Sequence, residues 1–357
     1  MRREFKKIKL KNLILVAIII CVSGVFAGCG GKQTLAIYNA ADYINGDVLA
    51  QFEKENKVKL IYNTYDSNED MYARVTANPK MYDVIIGSDY MLARMIKEDS
   101  LQPLDMPQIT NFSLVDSNYK ALPFDATNKF SVPYMTGTLG IIYDAGRVTT
   151  TIDSWGALWD THYLKNVLML ASPRDAIAVG LKFSGFSLNS HDPFQIDTAR
   201  VKLQNQMRYI KWYQTDEIKD NIVQGRAILG LTYSGEAYTA QYKAASLGNP
   251  NIKYVIPKEG SNKWVDSFAI PKQAKNVALA HTFINYMLQA DVAVKNSIAT
   301  GYTSTQREVR GKLPAEMQNS SILYPTKGIL DACEWYDYDI AASQLYQKAW
   351  MQVKAAR

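Results

Sequence analysis

From Thr34 to Ser100 the chain switches repeatedly between two hydrophobic periods, and that alternation limits the folds open to it. "TLAIYNA" reads as a buried strand and "GDVLAQFEKENK" as an amphipathic helix with Val48, Leu49 and Phe52 on one side. "VKLIYNTY", "SNEDMYARVTAN", "YDVIIGS" and "YMLARMIKEDS" continue the series as strand, helix, strand and helix. Such a βαβα rhythm predicts an α/β fold around a mostly parallel sheet. "KFSVPYMTGTLGIIYD" reads as a crossing between units, punctuated by Pro133 and Gly137. A second alternating unit follows in "VLMLA" and "SPRDAIAVGLKFSG". Helical patterns near 196–214 and 217–226 come next, then strands in "AILGLTY" and "IKYVIP" and two helices in "NVALAHTFINYMLQADVAVKNSIATG". No repeat of solenoid period and no low-complexity segment interrupts the series.

The N-terminus has a separate character. Six Lys/Arg fall in the first 11 residues, an apolar run follows from Leu13 to Phe26, and then come Ala27, Gly28 and Cys29. A basic segment, a short apolar segment and small residues before a break describe an export signal, residues 1–28. "FAGC" resembles the lipobox of bacterial lipoproteins, which implies lipidation of Cys29; Phe26 stands where Leu is usual. An ordinary secretory signal and an uncleaved anchor are the alternatives. The whole chain carries 40 Lys+Arg against 34 Asp+Glu, and removing the signal's six basic residues and one acidic residue leaves 34 against 33. A near-neutral mature protein gives no footprint for nucleic acid. Cys21 leaves with the signal, so Cys333 is left without a disulfide partner. With three His, scattered at positions 162, 191 and 281, and no CxxC, neither a metal nor another cofactor is expected.

In parallel α/β sheets, ligands sit beyond the carboxyl ends of the strands. Those ends here carry Asp42 and Tyr43, then Ser88, Asp89 and Tyr90, then Ser172 and Asp175, then Tyr233 and Glu236. "IPKEGSNKWVDSFAIP" adds Trp264 and Asp266, which share one side of an extended chain, and "ATGYTST" adds Tyr302. Carboxylates with aromatic faces suit a desolvated ammonium, through charge-assisted hydrogen bonds and cation–π attraction. Each residue also has a structural role open to it. Ser172 and Asp175 fit a capping box, Glu236 a helix N-terminus, and Asp42 and Asp89 turns. Tyr43 and Tyr90 can be half-buried tyrosines, and Trp264 with Asp266 a packing pair. No GxSxG elbow, P-loop or strand-borne GxGxxG is present. A carboxylate pair could serve an exported glycoside hydrolase, yet no candidate pair stands out among the tyrosines.

From about Leu35 to Arg357 the sequence resembles the spermidine/putrescine-binding proteins of bacterial ABC importers. The match runs in order through "IYNAADYI", "YNTYDSNEDMYAR", "YDVIIGSDY", "NKFSVPYMTGTLGIIYD", "DSWGALWD", "IPKEGSNKWVDSFAIP" and "EWYDYDIAASQLYQKAWMQVKA". The resemblance implies a non-enzymatic, monomeric receptor of two α/β lobes that close like a clamshell on a polyamine and deliver it to a membrane permease. With the lipobox placing a lipidated tether at 29–33, the expected lobes are 34–136 plus 267–309 and 137–266 plus 310–357. Carried over by position, it makes Asp42, Tyr43, Ser88, Tyr90, Asp175, Tyr233, Glu236, Trp264, Asp266 and Tyr302 ligand-binding. Four positions depart from the pattern. Tyr233 stands where the family usually has Trp. Ala40 and Ala41 stand where the family commonly has Trp and then Ser or Thr, so one aromatic wall is missing or comes from elsewhere. Ser172 stands where spermidine-preferring members carry a second acid. Glu236 resembles an acid of putrescine-preferring members, so a diamine is expected before a triamine. Another small organic amine is the remaining alternative ligand.

Overall fold

The computed structural model describes residues 32–356. The expected export signal and Cys29 lie outside the described residues. Ten strands form a connected ladder: β1 (Thr34–Ala40), β2 (Lys59–Tyr65), β3 (Val84–Ser88), β4 (Ser131–Asp144), β5 (Val167–Leu170), β6 (Ile210–Gln214), β7 (Leu229–Tyr233), β8 (Ile252–Val255), β9 (Lys263–Ala269) and β10 (Thr303–Ser304). Their order is β2-β1-β3-β9-β4-β7-β5-β6, with β8 and β10 also pairing β4.

The sheet is less parallel than the alternation predicts. β1 runs parallel to β2 and β3, and β5 runs parallel to β6 and β7. Between these groups, β9 is antiparallel to β3 and β4, and β4 is antiparallel to β7 and β8. The reason is connectivity. Two βαβ groups, each parallel inside, are joined by long strands that run back against both.

β4 is the longest of these strands. The stretch expected to be a punctuated crossing is one strand of 14 residues. Ser131–Thr138 pairs with β9, with an irregularity at Pro133–Met135, and Leu139–Tyr143 pairs with β7. Pro133 is tolerated because the register already shifts there. Gly137 serves close approach: a Cβ at this position would lie 2.6 Å from the Trp264 ring and 2.7 Å from Ser234 Oγ.

The apolar side chains fall into separate cores on either side of that strand. One gathers Leu139 to Ile252 with the C-terminal helix Ile340–Ala355. Two others gather residues from Leu35 to Met135 with Trp264 to Tyr302. In the helix Gly46–Asn56, Val48 and Phe52 are buried, and Leu49 packs half-buried beside them. The helical pattern near 196–214 divides into the helix Pro193–Gln206 and strand β6, because "IKWYQ" pairs beside β5. The helix expected at 217–226 is present as Glu217–Val223. Cys333 is buried and has no disulfide partner among the described residues.

Candidate functional site

Where the two groups of strands face each other, their carboxyl ends enclose a cavity of about 170 Å³. All ten residues expected at the site line it, together with Ala40 and Ala41. Its charged lining is entirely acidic: Asp42, Asp66, Glu69 and Asp89 from one side, Asp175, Asp216 and Glu236 from the other, and Asp266 from β9. Tyr43, Tyr65, Tyr90, Tyr233, Trp264, Tyr302 and Tyr336 provide its aromatic surface.

Two of these carboxylates are held in the same way. Asp266 accepts from Tyr43 Oη at 2.7 Å and from Ser88 Oγ at 2.6 Å. The Asn68 amide fixes Ser88, donating to its Oγ at 3.0 Å and accepting from its backbone N–H at 3.0 Å. Asp175 accepts from Tyr233 Oη at 2.7 Å and from Tyr336 Oη at 2.9 Å. Among the described residues, neither carboxylate has a Lys or Arg in ion-pair contact. Burial pushes Asp266 from 3.8 up to about 6, although both hydroxyls pull the other way. Glu69 accepts from Tyr90 Oη at 3.1 Å, and burial raises its pKa.

Local sequence explains these positions. Ser172 caps the helix Pro173–Phe183, its Oγ accepting from Asp175 N–H at 3.3 Å. The capping box expected for this pair is half formed: Ser172 caps the helix, but the Asp175 carboxylate turns to Tyr233 and Tyr336 in the cavity instead of back to Ser172 N–H. Asp42 lies in a turn with φ 51°, a left-handed conformation that Asp adopts more readily than most residues. Asp89 is not in a turn; it starts the helix Asp89–Lys97, fully buried, with Oδ1 accepting from Tyr90 N–H at 2.7 Å. Glu236 stands in the first turn of the helix Ser234–Ser246, and Lys219 Nζ meets it at 2.6 Å. Burial raises the pKa of Glu236, while the lysine opposes that shift.

The rings form a continuous edge-to-face chain. Tyr43 meets Tyr302 with centroids 5.4 Å apart, Tyr302 meets Trp264 at 5.4 Å, and Trp264 meets Tyr233 at 6.0 Å. Tyr90 and Tyr336 make a second pair at 5.8 Å. Beside Ala40, where an indole is common in the resembled proteins, Tyr65 stands in register on β2 and lines the cavity.

Glu69, Tyr65, Tyr336 and Asp216 were not among the residues singled out from sequence. Glu69 and Tyr65 lie within "YNTYDSNEDMYAR" and Tyr336 within "EWYDYDIAASQ", both stretches that carry the resemblance. Asp216 was hidden because "IKWYQ" reads as helix from sequence, whereas it forms strand β6, and Asp216 follows the end of that strand.

A two-lobed α/β molecule with an acidic, aromatic interlobe cavity has the form of a solute receptor. A profile described as "Bacterial extracellular solute-binding protein" matches residues 47–323, and the chain belongs to that family. It is 34% identical to the spermidine/putrescine-binding periplasmic protein of Escherichia coli K12, over 91% of this chain and 93% of that one. It is 28% identical to the putrescine-binding periplasmic protein PotF of the same organism, over 98% of each. A solved structure from Listeria monocytogenes superposes with a TM-score of 0.87 at 36% identity, covering 91% of this chain and 100% of that one. The PotD substrate-binding protein of Streptococcus pneumoniae superposes with a TM-score of 0.77 at 35% identity, over 91% and 99%. The family is one of substrate-binding transport proteins rather than of enzymes.

Proposed function

We propose that this chain captures a polyamine outside the cytoplasm, putrescine in preference to spermidine, and delivers it to an ABC permease. One observation carries the reading: two buried carboxylates, Asp266 and Asp175, are each held by two neutral hydroxyls and, among the described residues, by no protein cation. Two such anionic ends match the two ammonium groups of a linear diamine, and the ring chain between Tyr43 and Tyr233 suits the methylenes. The names of the E. coli relatives support the ligand class. The preference for a diamine no longer rests on Glu236 gripping an ammonium, since Lys219 already meets that carboxylate.

The lobes would be 34–136 plus 267–309 and 137–266 plus 310–357. The pairing of β9 with β3 and the packing of Trp264 with Tyr302 support moving the second boundary back to the start of β9. Cys29 would carry the lipid that keeps the receptor near its permease; loss of membrane association in Cys29→Ser is the expected result of fractionation. The protein would bind as a monomer, without cofactor or turnover. Isothermal titration of residues 30–357 with putrescine and then spermidine tests the reading. One-to-one binding with putrescine tighter is expected, and silence with both would refute it.

A further inference from the structure

One end of the acidic lining is neutralised from within. Lys219 projects from the helix Glu217–Val223, and Glu236 from the adjoining helix Ser234–Ser246. Their Nζ and Oε2 atoms are 2.6 Å apart, with the side chains 24% and 17% exposed. Ile218 and Ile222 beside the lysine, and Ala237 and Ala240 beside the glutamate, bury into one apolar core. The pair therefore belongs to one lobe and travels with it. Glu236 and Asp42 line the polyamine cavity and also a second cavity of about 530 Å³, whose wall includes Lys219. The ion pair thus stands in the partition between the two cavities. Burial opposes the charge on Lys219, but the Glu236 carboxylate first, and then Asp216 and Asp42, raise its pKa and keep it charged.

We infer that Lys219 is a built-in counter-ion that sets how many ammonium groups the ligand can bring, admitting a linear diamine and turning away the third charge of a triamine. A third ammonium reaching Glu236 would have to displace Lys219, leaving a lysine charge unpaired in a half-buried place. Replacing the lysine by a neutral side chain frees the carboxylate for the ligand instead. Lys219 acts through Glu236 and touches neither Asp175 nor Asp266, so the effect belongs to specificity rather than to the grip on a diamine. The inference deepens the polyamine reading and rests on it.

The test is titration of the full mature chain with putrescine and with spermidine, for the parent, K219M, K219R and the double variant K219M/E236Q. A freed carboxylate accepting a charged donor changes affinity by about tenfold or more. The spermidine-to-putrescine affinity ratio is therefore expected to rise by about tenfold in K219M, to stay at the parent value in K219R, and to fall back in the double variant, where there is no charge left to free. K219Q serves as a second neutral variant should K219M fail to fold, as judged by its melting curve. A ratio unchanged in the neutral variants, with both ligands bound by the parent, overturns the role of Lys219 alone. A parent that binds neither ligand overturns the polyamine reading, and this inference with it.

Discussion

Burial sets the character of Asp266. It holds the carboxyl at about 6, with the Ser88 and Tyr43 hydroxyls restraining the rise. An ammonium needs the ionised form, so diamine affinity is expected to strengthen as pH rises through about 6 and to level off above it. Titrations at pH 5, 6 and 7 read this directly, and Asp266→Asn should abolish the dependence along with most of the binding. The empty protein should behave in the opposite sense. Because the folded pKa lies above the ordinary value, the folded state holds the proton more strongly, and this group's contribution to stability is lost as pH rises from about 4 to 6. A melting series with and without Asp266→Asn would show that slope disappear. Removing either carboxylate from a bound diamine breaks a buried ion pair, a loss of ~3–5 kcal/mol, or roughly 10²–10³ in affinity or more. Asp175→Ala and Asp266→Ala are expected to lose that much by titration while keeping a parent-like circular dichroism spectrum; near-parent binding by both would remove them from the site.

At the scale of elements, the strand ends were legible because each ends a short apolar run before polar or aromatic residues. β1, β3, β5 and β7 follow that pattern, and all ten residues read from it, or from the resemblance, line one cavity. What stayed hidden depends on partners far away in sequence. Tyr336 reaches Asp175 across 161 positions, and Lys219 reads as an ordinary charged helix residue until Glu236 is placed beside it. β6 stayed hidden because "IKWYQ" becomes a strand only through pairing with β5. The same dependence on partners makes Gly235 sensitive. A Cβ there would come within 2.3 Å of the Tyr302 ring. The helix start Ser234–Gly235 thus fixes a ring that packs on both Tyr43 and Trp264. Gly235→Ala should displace Tyr302 and weaken diamine binding by about tenfold, an effect of the size expected for disturbing an aromatic contact. Unchanged affinity by titration would show that the ring chain tolerates the shift.

At the scale of the molecule, Asp266 on the joining strand β9 is held by Tyr43 and Ser88 of the first group, while Asp175 follows β5 of the second, so a diamine bridging them favours whichever arrangement brings both within reach. Differential affinity of that kind drives closure in two-lobed receptors. Small-angle scattering should show the radius of gyration fall on adding putrescine, and Asp175→Ala should leave it unchanged at the same ligand concentration. An identical radius with and without saturating putrescine would mean that the cleft closes before the ligand arrives.

The antiparallel link between β3 and β9 joins residues 178 apart, as the Ser88–Asp266 contact shows. During synthesis from the N-terminus, β1, β2 and β3 emerge long before β9 exists. The flank of Val84–Ser88 that β9 will cover stays open in the meantime, and an apolar strand edge with free N–H and C=O groups invites pairing with another chain. The nascent protein is therefore most exposed to misassembly while its second half is still being made. A chaperone that shields "YDVIIGS" until "KWVDSFA" arrives would raise the yield of folded receptor without touching its affinity.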